Sequence, residues 1–293
     1  MLGGARRLSN SKMKRILVTG GSGLLGPFLM AESELNGRVF SLARSRGTFL
    51  CDLTSVDQVA AALTRVKPDL IIHAAALTDV DFCEAHRQEA YEINATATKT
   101  ISAMADPACK IVYISTDQVY PDSVGPHLES NTGPVNVYGK TKLIGEQAVL
   151  ERSNSLVIRT SFLCKSQNDR AGLLDFFLSA LAENREIKIF RDVFFSPIGA
   201  HSLAKIIFEL ITLEANGVFN VGSREGQSKA ELFNQIASVV ALYKPRARTV
   251  DSTSIPFRAP RCLDLRMNVC KVEKKLGRKM KGLEQELREI LNA

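Results

Sequence analysis

The chain has 293 residues, of which 45% are hydrophobic and 24% are charged, an ordinary composition for a globular protein. No apolar run approaches the ~20 residues that span a bilayer, which excludes a membrane-spanning protein. Residues 1–15 carry five basic residues and no acid, against a net charge of +7 for the whole chain, so the basicity is largely that of a tail and gives little support to a nucleic-acid partner.

We expect residues 1–13 to form a flexible basic extension. This stretch lacks the apolar core of a signal peptide, which predicts a cytoplasmic protein. The six cysteines and four histidines are scattered along the chain and show no metal-ligand spacing. We therefore expect reduced thiols and no metal site.

Short apolar strands alternate with helices along the first half of the chain. Strands are predicted at 16–19, 39–42, 70–74, 110–115 and 156–159. Helices are predicted at 24–35, 55–66, 84–104 and 136–152. The strands are solidly apolar, as strands are when helices cover both faces of a sheet. The pattern predicts an α/β fold, a doubly wound parallel sheet of the Rossmann type.

Beyond residue 160 the pattern loosens. Further helices are predicted at 201–213, 228–243 and 271–292, with irregular, proline-containing chain between them. We expect residues 14–160 to form a cofactor-binding domain, to which 199–215 returns. Residues 161–198 and 216–293 would form a smaller C-terminal substrate-binding lobe over the carboxyl edge of the sheet, where ligands bind in such folds.

A glycine-rich turn follows the first strand, as Thr19-Gly20-Gly21-Ser22-Gly23-Leu24-Leu25-Gly26. Glycines at this spacing allow a tight turn and let a pyrophosphate approach the backbone, while the helix N-terminus attracts its charge. A purely structural turn between strand and helix is the alternative. We expect the cofactor to contact Gly20, Gly23, Leu24, Leu25 and Gly26.

The end of the second strand distinguishes NADP(H) from NAD. An NAD site usually has an acidic residue there to bind the ribose hydroxyls, whereas an arginine suits a 2′-phosphate. This chain has Arg44 and Arg46 at that point and no acid beside them. The sequence therefore predicts NADP(H), with Arg44 on the phosphate, unless both arginines are plain surface charges.

Tyr138 and Lys142 form a Y-x-x-x-K pair on a predicted helix. Residues four apart share a helix face, and a nearby ammonium lowers the pKa of a tyrosine. We expect Tyr138 to be a general acid for a carbonyl oxygen, with Lys142 beside it and on the nicotinamide ribose. An exposed helix face without catalytic purpose is the alternative.

The fourth strand ends in Ser115-Thr116-Asp117, which carries two hydroxyl side chains. At the ligand-binding edge of the sheet, Thr116 could hydrogen-bond the substrate carbonyl and the developing oxyanion. Ser115 is the second choice for this role. Both residue types also favour helix caps and turns, which is the structural alternative.

These motifs together resemble the extended short-chain dehydrogenases/reductases, and within them the dTDP-4-dehydrorhamnose reductase family. The resemblance runs from about Met13 to the C-terminus. Besides the glycine turn and the Tyr138–Lys142 pair it rests on Cys51-Asp52-Leu53, His73-Ala74-Ala75-Ala76-Leu77-Thr78, Ile93-Asn94-Ala95, Ser115-Thr116-Asp117-Gln118-Val119-Tyr120, Ile158-Arg159-Thr160-Ser161 and Ser196-Pro197-Ile198.

The resemblance implies an NADPH-dependent reductase of the 4-keto group of a dTDP-linked 6-deoxyhexulose, which gives dTDP-L-rhamnose. Thr116, Tyr138 and Lys142 would be the catalytic residues and Thr78 would touch the substrate. A homodimer is expected by analogy. The further cofactor contacts that it implies are Asp52, Leu53, Ala74, Ala75, Ala76 and Asn94.

The sequence departs from the family where the sugar would bind. Phe162 stands where relatives often carry a tryptophan, and we expect it to contact the substrate. The phosphosugar-binding segment is loosely kept; Arg258 and Arg261 in it could pair with a diphosphate or be ordinary surface charges.

Two alternative functions stay open. An epimerase or dehydratase of the same superfamily usually keeps NAD tightly bound, which the missing acid after the second strand disfavours. A regulatory subunit of methionine adenosyltransferase also resembles this family and acts mainly through protein association. Turnover with a keto-sugar would distinguish a reductase from such a subunit.

Overall fold

The computed structural model describes residues 13–167, 170–240, 246–256 and 259–292. The strands are β1 (Arg15–Thr19), β2 (Arg38–Ala43), β3 (Phe49–Leu50), β4 (Leu70–His73), β5 (Lys110–Ile114), β6 (Ser155–Arg159), β7 (Phe162–Leu163), β8 (Ile187–Phe190), β9 (Phe194–Phe195), β10 (Ile198–Gly199), β11 (Gly217–Asn220), β12 (Gln227–Ser228), β13 (Ala247–Val250) and β14 (Asp264–Leu265). The helices are α1 (Gly26–Glu34), α2 (Val56–Val66), α3 (Val80–Ala85), α4 (Arg87–Tyr91), α5 (Ala97–Met104), α6 (Val137–Leu150), α7 (Leu173–Ala182), α8 (Ala200–Thr212), α9 (Lys229–Val240), α10 (Cys270–Leu276) and α11 (Leu283–Asn292).

In the described ranges, a seven-stranded sheet forms the centre of the molecule, in the order β11-β6-β5-β4-β1-β2-β3. Every neighbouring pair in it is parallel. The carboxyl ends of its strands therefore meet at one edge, and the strand order changes direction between β1 and β4, where ligands bind in such folds. The predicted doubly wound α/β fold is confirmed.

Both faces of the sheet are buried, as its apolar strands predict. Along β1, Ile16 and Val18 face the core shared with α1 and α8, while Leu17 faces the core shared with α2 and α5. Successive strand residues point to opposite faces, so each apolar strand needs a helix layer on either side. Each fully buried Leu, Ile or Val stabilises this arrangement by about 1.5–3 kcal/mol.

A separate apolar core lies in the C-terminal half. It joins α7, α9 and α11 to a three-stranded sheet (β12-β9-β14) and to the β13-β8 pair. Phe177 and Phe233 meet edge to face inside it, with ring centroids 5.2 Å apart. Helix α7 and the strands of this half were not predicted, because they are short and lack a clear alternating pattern.

The structure corrects one predicted boundary. Residues 216–293 were assigned to the smaller lobe, but β11 pairs with β6 at the edge of the large sheet, and α10 packs on β11 and α8. The large sheet thus takes its last strand from beyond residue 216. The rest of the division into two parts stays a prediction, and residues 1–12 lie outside the described residues.

Two predicted long helices are interrupted. The helix expected at 84–104 begins earlier, at Val80, breaks at His86 and passes through a π-helical turn, Glu92–Thr96, before α5. The helix expected at 271–292 ends at Gly277, whose φ of +69° is left-handed, and a new helix begins at Leu283. In the described residues no helix is both long enough and apolar enough to cross a bilayer.

Candidate functional site

The glycine turn lies at the carboxyl edge of β1 and is tightly closed. Gly20 has a φ of +75°, and a Cβ there would lie 2.7 Å from the backbone nitrogen of Ala75. A Cβ on Gly26 would lie 2.1 Å from the carbonyl oxygen of Gly21. Leu25 occupies the N-cap of α1 and offers no side-chain oxygen to its amides, and the first turn holds no acid. A phosphate at the start of α1 would therefore meet neither a competing side-chain cap nor an acidic residue of the first turn.

We expect Gly26→Ala to weaken NADPH binding by about 10-fold or more, because the added methyl group collides with the Gly21 carbonyl and opens the turn. Gly172→Ala is the matched control, since a Cβ there meets its nearest atoms at an ordinary 3.5 Å. Titration calorimetry with NADPH measures both variants. Equal affinities would show that the turn is not part of the cofactor site.

Arg44 and Arg46 are exposed and directly follow β2 at the same edge of the sheet. Asp52 follows β3, which pairs with the end of β2, and hydrogen bonds from Thr54 lower the pKa of its carboxyl, with a smaller effect from Arg44. Arg44 and Asp52 thus lie near each other beside the glycine turn. Leu53 packs against the core under the sheet, so only part of it is open to a ligand.

The segment after β4 is fixed by buried polar contacts. The Thr19 hydroxyl accepts from the Ala75 amide at 3.2 Å and lies 2.6 Å from Nδ1 of His73. Asn94 is buried in the π-helical turn, and its side chain hydrogen-bonds both the amide and the carbonyl of Leu77, at 2.8 and 2.9 Å. Asn94 thereby positions this segment; Ala74, Ala75 and Ala76 are partly exposed beside Gly20.

Helix α6 presents the predicted catalytic pair. Asn136 caps it, accepting from the Gly139 amide at 2.9 Å, and donates to the side chain of Gln118 at 3.1 Å. A Cβ on Gly139 would lie 2.1 Å from the Gln118 carbonyl oxygen. This glycine therefore lets the helix approach the segment that follows β5. No local sequence pattern identifies Gly139, because Gln118 is distant from it in the chain.

Thr116, in the segment that follows β5, interacts with Tyr138 of α6. Burial raises the pKa of Tyr138 well above its ordinary value, and interaction with the Thr116 hydroxyl lowers it in part. The net effect of these surroundings is to keep Tyr138 protonated at neutral pH, and the expected influence of Lys142 on the tyrosine stays a prediction. A protonated phenol is the form that can donate a proton.

Lys142 is buried one helical turn beyond Tyr138. Its Nζ donates to the carbonyl of Ile114 at 2.7 Å and lies 4.0 Å from the ring centroid of Tyr113. Burial lowers the pKa of Lys142 to about 7, and the carboxylate of Glu146 opposes that change. The ammonium therefore lies at the end of β5, next to the residues that carry the candidate hydroxyls.

A buried ion pair lies one helical turn beyond Lys142. Glu146 lies one further turn along α6 and pairs with Arg159 of β6 at 2.7 Å, both side chains being almost fully buried. The Ser115 hydroxyl donates to the same carboxylate. Ser115 is thus engaged with the buried ion pair, whereas the Thr116 hydroxyl donates at 3.1 Å to Asp117, which lines a cavity; this favours Thr116 as the hydroxyl that meets a substrate.

A cavity of about 270 Å³ is lined by Asp117 and Gln118, which directly follow Thr116, and by residues of the C-terminal half. Arg261 lines it and pairs with Asp81 at 3.1 Å. Ser161 lines it too, whereas the next residue, Phe162, packs against the core of the large sheet and is not among the lining residues. Thr78 is exposed after β4, and Arg258 lies outside the described residues.

Other site types find no support in the described part of the chain. Within it, no three His, Cys, Asp or Glu side chains come together in a way that could bind a metal ion. Every cysteine is an unpaired thiol, and all but Cys270 are buried.

Comparisons with known proteins agree with this geometry. A family model, the RmlD substrate binding domain, matches residues 13–293. The Haloferax volcanii protein named "Probable low-salt glycan biosynthesis reductase Agl14" is 30% identical over 92% of this chain and 95% of its own length. The dTDP-4-dehydrorhamnose reductase of Shigella flexneri is 28% identical over 94% of this chain and 97% of its own. The crystal structure of dTDP-4-dehydrorhamnose reductase from Bacillus anthracis in complex with NADP superposes with a TM-score of 0.87, at 27% identity over 96% of this chain and 99% of that one.

Proposed function

The chain belongs to the RmlD substrate binding domain family, and on that premise we propose that it uses NADPH to reduce the 4-keto group of a nucleotide-linked 6-deoxyhexulose, converting dTDP-4-dehydrorhamnose to dTDP-L-rhamnose. One observation carries this proposal. Thr116 and Tyr138 meet at the carboxyl edge of the sheet, with Lys142 one helical turn away, and Asp117 and Gln118, the residues after Thr116, line a cavity. Relatives over nearly the whole chain bear the corresponding activity in their names.

The residues present suit NADP(H). Gly20, Gly23, Leu24, Leu25 and Gly26 would take its pyrophosphate at the start of α1, because the turn is closed and the helix end has no side-chain cap. We assign Arg44 to the 2′-phosphate, and Asp52 and Leu53 to the adenine. The small side chains of Ala74, Ala75 and Ala76 would let the cofactor lie close to the end of β4. Asn94 would act indirectly, by holding Leu77 in place. When bound, NADPH supplies the hydride.

Residues of the chain itself supply the proton. Tyr138, protonated at neutral pH, donates its proton to the carbonyl oxygen as that oxygen becomes an alcohol. Thr116 hydrogen-bonds the same oxygen while negative charge develops on it. Lys142 places a cation at the end of β5 that stabilises the tyrosinate left behind.

Arg44→Asp should raise the Kd for NADPH by about 10-fold or more and leave the Kd for NADH nearly unchanged, because the 2′-phosphate loses a charged hydrogen bond and meets a like charge. Arg38→Asp is the matched control, an exposed arginine at the opposite end of β2. Fluorescence titration gives both constants. An equal loss for the two cofactors would disprove the assignment of Arg44.

The reaction is tested by following nicotinamide absorbance when NADPH meets dTDP-4-keto-6-deoxysugars. We expect oxidation with dTDP-4-dehydrorhamnose as substrate. An absence of turnover with every keto-sugar would favour a binding role like that of the methionine adenosyltransferase regulatory subunit. Bound NAD that survives purification, with a sugar-nucleotide isomer as the product, would favour the epimerase alternative.

We also propose a cytoplasmic homodimer. The support for a homodimer is the resemblance to the family. Light scattering should give twice the mass of one chain. A monomer at micromolar concentration would refute the dimer and leave the reductase proposal untouched.

A further inference from the structure

The cavity lined by Asp117 and Gln118 has an apolar part and a charged part. Its apolar lining comes from the C-terminal half of the chain and consists of Leu173, Phe190, Val193, Phe195 and Leu265. Its charged lining consists of Asp117, Lys229 and Arg261. Ligand pockets combine an apolar wall with a few directed polar groups, and this one adds two cations.

The side chains of Arg261 and Lys229 differ in the partners that the protein gives them. Arg261 pairs with Asp81 at 3.1 Å. Among the described residues, Nζ of Lys229 makes no hydrogen bond or ion pair; its contact is with the face of Phe190, 5.6 Å from the ring centroid. Lys229 is also firmly placed, because it begins α9 and its amide donates to the Val193 carbonyl at 3.0 Å.

The electrostatic surroundings favour an anion between these cations. Burial, and after it the charge of Arg261, lowers the pKa of Lys229. Asp117 opposes this, but its side chain accepts from the Thr116 hydroxyl at 3.1 Å and so belongs to the catalytic end. An anionic ligand near Lys229 would remove the cost of holding two like charges close together.

We propose that Lys229, together with Arg261, binds the diphosphate of the sugar nucleotide. This rests on the proposed function, which requires C4 of the hexose to reach Thr116 and Tyr138. The diphosphate on C1 then lies on the far side of the ring, toward the cations, and the base meets the apolar wall. The sequence pattern does not identify Lys229. It indicates only Arg258 and Arg261 as candidates for binding the diphosphate.

The test compares a nucleoside diphosphate with its nucleoside. For Lys229→Met we expect the Kd for dTDP to rise by about 10- to 100-fold and that for thymidine to change by less than about 2-fold, since only dTDP carries the charge. Lys229→Arg should recover most of the affinity. Lys205→Met is the control, an exposed lysine on α8. An unchanged affinity for NADP⁺ verifies that each variant is folded.

Two results would overturn the assignment: an unchanged Kd for dTDP in Lys229→Met, or equal losses for dTDP and thymidine. The proposed function is judged separately, by wild-type turnover. If the wild type binds UDP or GDP instead of dTDP, the nucleotide in the proposed function is wrong, and the same comparison is made with that diphosphate and its nucleoside. A wild type that binds no nucleoside diphosphate refutes both.

Discussion

Replacing Tyr138 by Phe should lower kcat by about 10²–10⁴-fold, because the ketone oxygen loses its proton donor. The ring remains, so packing against Val137 and Cys83 and the affinity for NADPH should change little. Steady-state kinetics with a dTDP-4-keto-6-deoxysugar and calorimetry with NADPH measure the two effects separately.

Tyr91→Phe is the matched control, since Tyr91 lies partly exposed on α4 and has no predicted part in the reaction. It should keep wild-type turnover. Near-wild-type kcat in Tyr138→Phe would remove this residue from the mechanism. A parallel loss of NADPH affinity would instead indicate that the substitution had damaged the site.

Replacing Arg159 by Met should reduce the free energy of unfolding by about 3–5 kcal/mol, because it leaves a buried carboxylate without its counter-ion. Glu146 receives three hydrogen-bond contacts from this guanidinium, at 2.7–3.2 Å. Burial alone would lower the pKa of Arg159, but the hydrogen bonds and charge of Glu146 raise it above its ordinary value. Urea denaturation gives the free energy directly.

The exposed pair of Arg191 and Asp251 provides the control. It has a similar geometry, at 2.8 Å, but both side chains are exposed and screened by solvent, so Arg191→Met should reduce the free energy of unfolding far less than Arg159→Met. Combining Arg159→Met with Glu146→Gln should recover part of the loss, since the uncompensated charge is removed. Equal losses from Arg159→Met and Arg191→Met would contradict the structural importance of the buried pair.

The elements that were predicted from the sequence are those whose cause is local. Solid apolar strands in the first half require helices on both faces, and the seven-stranded parallel sheet has them. The glycine turn and the Tyr138–Lys142 spacing also have local causes. Glu146 follows the same four-residue spacing, so helical periodicity alone could have identified it as a neighbour of Lys142.

What was missed depends on tertiary contacts or on backbone geometry. Arg159 reaches Glu146 because β6 lies beside β5 and under α6, a pairing that no local pattern encodes. The π-helical turn that points Asn94 at Leu77 interrupts a stretch with good helical propensity. Lys229 is separated from Asp117 by more than a hundred residues, and only the fold places both on one cavity.

The transfer of hydride to C4 of the sugar is the central claim, and isotopic labelling tests it most directly. The enzyme would be incubated with dTDP-4-dehydrorhamnose and NADPH carrying deuterium at the transferable position of the nicotinamide, and the product analysed by NMR. We predict one deuterium at C4 of dTDP-L-rhamnose for each NADPH oxidised. Deuterium that stays in the cofactor, or a sugar product without label at C4, would contradict it.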